Sequence, residues 1–185
     1  FFTHKLMDHK FGKNNEFLKW PKELNWLPNI QRENYRYASV YGAIGRADMK
    51  PAAGDLPKFG HLIGLFTGAY DRGSKALELI ESRLGEAAFL DFTRGVVKKY
   101  SFRVLTAADY QKELEAYTGK PWGDFFQNWI YGKELPDWSL AEVRTAARTG
   151  PLAAAAKGGR RVEVVVRQNG KLDEPTVVGF QFAEG

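Results

Sequence analysis

Ala69-Tyr70-Asp71-Arg72-Gly73-Ser74, with the apolar run behind it, decides how this chain folds. From Lys75 onward Ala76, Leu77, Ile80 and Leu84 recur at helical spacing, and Gly85 ends the run. The spacing predicts a helix from about Asp71 to Leu84, with Tyr70 just ahead of its start. A phenol at the mouth of a buried helix is held rigidly while its hydroxyl stays free. That geometry suits the donation of a hydrogen bond to a developing oxyanion. The same pattern also fits an amphipathic core tyrosine whose hydroxyl reaches the surface.

Downstream the helical signals continue. A second helix is predicted from about Glu86 to Tyr100, with the stripe Phe89, Phe92, Val96 and Tyr100. Thr106, with Asp109 three residues on, reads as a near capping box. The helix behind it shows Tyr110, Leu114 and Tyr117, and Gly119 caps its end. Pro121 opens a further helix whose face carries Trp122, Phe125, Phe126, Trp129 and Ile130. So heavy an aromatic face reads as core or interface, not as a cofactor box. After Pro136 the character changes. Trp138 to Thr145 reads as extended, and Gly150 to Gly159 as a small-residue connector. Val162, Val164 and Val166 alternate as a strand, Gln168-Asn169-Gly170 reads as a turn, and Val178, Phe180 and Phe182 alternate as a second strand. The predicted class is therefore mainly α, about six helices followed by a short antiparallel β tail. The boundary falls near residue 135. Residues 1–135 form the helical region, and residues 136–185 form a β-rich region that begins a sheet domain.

Upstream, residues 1–20 set Phe1, Leu6, Met7, Phe11, Phe17 and Leu18 among lysines, an amphipathic helix that stops near Gly12. His4 and His9 stand five positions apart and so face different sides of a helix. Paired zinc histidines on a helix stand at i and i+4. Pro21, Pro28, Pro51 and Pro57 break up residues 20–60, where a short helix is predicted from about Asn29 to Tyr41. Met49 to Gly60 reads as loop. His61, at the start of the apolar segment Leu62 to Ala69, reads as structural.

At 185 residues the chain is one domain, or one domain with an appendage. Hydrophobic residues make up 44% and aromatics 14%, enough for a packed core. The absence of cysteine removes disulfides, thiolate nucleophiles and cysteine-ligated zinc or iron–sulfur sites. No apolar run approaches the ~18 residues of a membrane span, and no signal peptide is read. A start at Phe1 leads to the expectation of a piece processed or excised from a longer polypeptide. The net charge is +5, and residues 1–60 carry ten Lys and Arg against six Asp and Glu. That density is lower than the stripe of a nucleic-acid binder, so the charge reads as a solvated surface.

There is no His-Glu-x-x-His, Gly-x-Ser-x-Gly, phosphate loop or dinucleotide fingerprint. What remains is a run of landmarks. Tyr70-Asp71-Arg72-Gly73 opens a helix. Leu84-Gly85-Glu86-Ala87-Ala88-Phe89 follows as a Leu-Gly-x-x-x-Phe break. Then come Tyr100-Ser101-Phe102, Thr106-Ala107-Ala108-Asp109-Tyr110, Thr118-Gly119, Phe125-Phe126-Gln127-Asn128-Trp129 and Pro136. In this order and spacing, over about residues 65–140, the chain resembles the gluzincin zinc aminopeptidases of the membrane alanyl aminopeptidase and leukotriene-A hydrolase type. The Tyr-Glu-Lys-Gly-like element of that family stands here as a conservative variant.

The resemblance implies the C-terminal region of a catalytic domain that hydrolyses peptide bonds at a zinc held by two histidines and a glutamate. It implies that Tyr70 donates a hydrogen bond to the tetrahedral oxyanion, a role suited to a phenol, which stays protonated at neutral pH. The zinc ligands are not in this sequence. The expected partners are therefore a peptide substrate and the remainder of the parent polypeptide, which carries the zinc motif. No cofactor-binding or metal-ligating residue is assigned within the chain, and the chain alone is expected to be inactive. Two alternatives remain open at this level. One is a non-catalytic, peptidase-like binding scaffold. The other is a basic helical module binding nucleic acid through Arg32, Tyr35, Arg36 and Tyr37.

Overall fold

A computed structural model describes residues 1–12, 16, 18, 20–30, 38–147 and 160–180. The chain is mainly helical with a short antiparallel β tail, as the periodicity predicts. It divides into two compact units, residues 1–133 and 134–185.

The first unit holds six helices among the described residues. They are α1 Phe2–Phe11, α2 Ala38–Gly45, α3 over residues 62–84, α4 Glu86–Tyr100, α5 Ala107–Thr118 and α6 over residues 123–131. Two of them contain a π-helical segment. α3 runs as α-helix Leu62–Leu65, π-helix Phe66–Arg72 and α-helix Gly73–Leu84. α6 passes from Gly123–Phe125 into π-helix Phe126–Tyr131. Leu65, Phe66, Arg72 and Gly73 all keep right-handed helical dihedrals, so α3 is unbroken.

Tyr70 therefore lies inside a helix, not ahead of one, which corrects the predicted start near Asp71. Gly64 and Gly68 lower the helix propensity of the stretch before Tyr70, and tertiary packing overrides that preference. A Cβ on Gly64 would fall 2.2 Å from the Phe59 carbonyl oxygen, and one on Gly68 would fall 2.4 Å from that of Pro51. The two glycines, one turn apart, let α3 lie directly on the 51–59 backbone. Within that stretch, expected as loop, Leu56–Phe59 makes a 3-10 turn. The helix expected at Asn29–Tyr41 is described only at its two ends, non-helical at Asn29 and Ile30 and helical from Ala38. Residues 31–37 lie outside the described residues, and α2 continues past Tyr41 through Gly42 to Gly45.

The core follows the predicted stripes. Phe89, Phe92 and Val96 of α4 are buried with Ala76 and Ile80 of α3, Leu114 of α5, and Phe125, Phe126 and Trp129 of α6. Phe92 meets Tyr110 edge to face at 5.3 Å, and the Phe125 and Trp129 rings stack at 6.5 Å. Such contacts add about 0.5–1.5 kcal/mol each beyond area burial. The Arg83 guanidinium covers the Phe125 ring at 4.7 Å. Gly85, at φ 83°, separates α3 from α4. The capping box of α5 is complete. The Asp109 N–H donates to Thr106 Oγ1 at 3.1 Å, and the Thr106 N–H donates to Asp109 Oδ2 at 3.2 Å. α1 ends at Gly12, as expected, and sets Phe1 and Phe2 on Phe89 with centroids 5.5 and 6.1 Å away. Its Lys5 pairs with Glu81 and, at 2.9 Å, with Glu86.

In the second unit, β1 Trp138–Ala147 pairs antiparallel with β2 Arg160–Gln168. Leu140 faces Val166, Val143 faces Val164 and Thr145 faces Val162, which sets these side chains on one face, while Val165 opposes Glu142. Arg144 opposes Glu163 on the other, and the register shifts between Leu140 and Glu142. The second strand expected at Val178, Phe180 and Phe182 is not formed among the described residues, which end at Phe180. Residues 171–180 carry no strand, and Phe182 lies outside the described residues. β2 takes its ladder from β1, whose apolar positions match its register. Alternation in 178–180 without a ladder partner is not enough to make a strand.

Candidate active site

Tyr70 projects from the π-helical segment of α3. It is 62% exposed, and its ring lies 4.9 Å from that of Phe66. Among the described residues its hydroxyl has no hydrogen-bond partner. An apolar cavity of about 440 Å³, which Tyr70 does not line, is bounded by Ala69, Gly73, Ala76, Leu77 and Ile80 of α3 and by Tyr110 of α5. Burial holds the Tyr110 phenol well above the ordinary tyrosine range. Tyr110 is therefore a neutral wall of that cavity, while Tyr70 stands at the surface.

The residues that follow Tyr70 are bonded to other elements. Asp71 accepts a hydrogen bond from the Ser39 hydroxyl of α2. Arg72 points inward and is only 2% exposed. Its Nε donates to the Trp129 carbonyl at 3.0 Å, its Nη2 to Asn128 at 2.8 Å and its Nη1 to Lys133 at 3.1 Å. The guanidinium also lies 5.6 Å from the Trp129 ring centroid. In the sequence Arg72 is simply one member of a charged pair with Asp71. Spacing carries no signal that it is buried, because its partners are backbone carbonyls more than fifty residues away.

The histidines do not come together. His61 caps α3, its Nδ1 accepting from the Gly64 N–H at 3.0 Å, while its Nε2 lies 3.6 Å from Asp48 Oδ2. His4 and His9 sit on α1. Among the described residues no group of three His, Asp or Glu side chains could hold a metal ion. Arg32, Tyr35, Arg36 and Tyr37, the basic aromatic cluster, lie outside the described residues. No described helix is long and apolar enough to cross a membrane.

A second cavity, of about 480 Å³, lies between α4 and α5. Three of its polar side chains, Asp91, Glu113 and Tyr117, are engaged in hydrogen bonds or ion pairs. The Tyr117 hydroxyl donates to Asp91 at 3.0 Å, and Glu113 on its wall takes Lys99 at 2.6 Å. Compared with protein families, curated proteins and solved structures, the chain matches none.

Proposed function

We propose that this chain is the helical C-terminal region of a zinc aminopeptidase catalytic domain of the gluzincin type, with Tyr70 as its oxyanion donor. One observation carries the reading. Within a single π segment the Tyr70 ring is presented at the surface while Arg72 is buried and bonded. A donor aimed at a developing charge must be free in the resting state and must not move when the charge appears. The landmarks from Tyr70 to Pro136 add the family resemblance.

The described residues do not make a zinc site. The reading therefore assigns the metal and the general base to polypeptide that carries the zinc motif. What this chain supplies is narrower. The phenolic O–H of Tyr70 donates to the oxygen of a peptide carbonyl as that oxygen takes on charge, and the proton stays on the phenol. The rigid α3 sets its position. Removing one such donor costs about 2.7–4 kcal/mol of transition-state stabilisation, or 10²–10³-fold in kcat.

The test uses a polypeptide that contains this chain together with the zinc motif. Tyr70→Phe should lower kcat for aminoacyl peptide hydrolysis by about 10²-fold or more, with KM little changed. Ordinary turnover in that variant would remove Tyr70 from the mechanism.

A further inference from the structure

A π helix leaves the carbonyls of its last turn without intrahelical partners. In the segment Phe126–Tyr131 three of those carbonyls, of Asn128, Trp129 and Ile130, are taken from outside. Arg72 holds the carbonyls of Asn128 and Trp129, and also that of Lys133 just beyond. The Ile130 carbonyl, between them, accepts from the N–H groups of Ala52 and Ala53 at 2.9 and 3.0 Å. The same 51–53 backbone presses on α3. Pro51 closes on Gly68, and Ala52 lies at van der Waals distance from the Cβ position of Gly73. The π turn carrying Tyr70 is thus fixed at Gly68, two residues before it, and at Arg72, two residues after it.

We infer that Arg72 is the positioning residue for Tyr70. Its guanidinium ties the π segment of α3 to the open end of the π segment of α6, and this sets the direction in which the phenol points. The charge complements the negative end of that helix. A lysine cannot substitute. Three carbonyls spread over residues 128–133 need a planar fork of donors, and an ammonium on a flexible stem does not provide one. The catalytic meaning of this inference rests on the reading of Tyr70 as oxyanion donor, but the geometric claim does not.

Two experiments separate them. The first places 3-fluorotyrosine at position 70 of this chain, with a second sample labelled at Tyr117 as control. The wild type should give one narrow ¹⁹F line at each site. In Arg72→Lys the line at position 70 should broaden or split while that at 117 is unchanged. An unchanged line at 70 overturns the inference. So does loss of folded signal at both sites, because Arg72 would then hold the whole unit and not Tyr70 in particular.

The second experiment measures hydrolysis by a polypeptide that also carries the zinc motif. Arg72→Lys should lower kcat by up to about 10²-fold with KM within twofold, since a small misplacement is enough. Added to Tyr70→Phe it should cost no more. Full turnover in Arg72→Lys, where Tyr70→Phe is slow, overturns the positioning role. A wild type with no peptidase activity defeats the peptidase reading and leaves the ¹⁹F result to decide the geometry.

Discussion

The Nε of Arg72 donates to the carbonyl oxygen of Trp129 across 3.0 Å, so the two π-helical segments of the helical unit are joined through one buried side chain. The bond lies on the inward side of α3, and Tyr70 stands on the outward side of the same segment. What stabilises the fold here and what is offered to solvent are therefore consecutive choices of one helical turn.

Replacing Arg72 by methionine keeps much of the side chain's length and removes every donor. The carbonyls of Asn128, Trp129 and Lys133 would lose their shared partner, and of these three residues Trp129 is buried, Asn128 half-buried and Lys133 exposed. Each unsatisfied buried group costs about 1–3 kcal/mol, partly relieved by relaxation. The expected loss is about 3 kcal/mol, read as a lower urea midpoint by far-UV circular dichroism. A midpoint equal to wild type would show that the three bonds contribute nothing net.

Gly68 and Gly95 should respond oppositely to alanine. A Cβ at Gly68 meets Pro51 oxygen at 2.4 Å and Phe59 Cε1 at 2.9 Å, whereas at Gly95 nothing lies within 4 Å. Gly68→Ala must displace the 51–59 backbone and should cost about 1–3 kcal/mol. Gly95→Ala lies mid-helix in α4 and should gain about 0.5–1 kcal/mol from helix propensity. Thermal midpoints of the two variants decide this, and a stabilised Gly68→Ala would mean that α3 does not lie on that backbone.

The same pair of glycines shows where the sequence could be read and where it could not. α4 was legible because its signals are local. Gly85 stops one helix, Phe89, Phe92 and Val96 repeat at the helical period, and Tyr100 ends the run. The Thr106 and Asp109 box was legible for the same reason. The continuation of α3 back to Leu62 was not, since Gly64 and Gly68 argue locally against a helix and are there to let another backbone approach. Neither π segment has a sequence signature. Tyr70 could be singled out as a candidate from its motif. Arg72 could not be placed, because its partners are backbone atoms of residues 128–133.

Acid should weaken the helical unit through a specific set of carboxylates. The Thr106 hydroxyl and N–H hold Asp109 below the usual carboxylate range, Lys99 and Tyr100 do so for Glu113, and Gln111 and the Trp122 N–H do so for Glu115. Lys50 lowers Asp48, and Lys5 lowers Glu86. A carboxyl whose folded value is depressed binds its proton more weakly folded than unfolded. Its contribution is complete above the ordinary carboxylate range and is lost as pH falls through the lowered folded values. Urea midpoints should therefore be flat from pH 7 to about pH 5 and fall below it. Midpoints that stay level to about pH 3 would show these contacts to be energetically silent.

His61 should behave as a cap. Its Nδ1 takes the Gly64 N–H, one of the four that open α3. Asparagine can accept the same bond and should retain stability, whereas His61→Ala should lose about 1 kcal/mol. The comparison is made by urea unfolding of the two variants side by side. Equal loss in both would assign the role of His61 to its neighbour Asp48 and not to the cap.

Tyr70→Phe provides the sharpest contrast, because stability and function should respond differently. The hydroxyl is at the surface, and the ring keeps its contact with Phe66 at 4.9 Å when the oxygen is gone. Surface changes of this kind stay within about 0.5 kcal/mol, so the unfolding curve of this chain should not move. Turnover by a polypeptide that joins the chain to the zinc motif should fall by about 10²-fold or more. A variant that is destabilised as much as it is slowed would place Tyr70 among the structural residues of α3. A variant stable as wild type and slow only in kcat is what a donor held for the transition state requires.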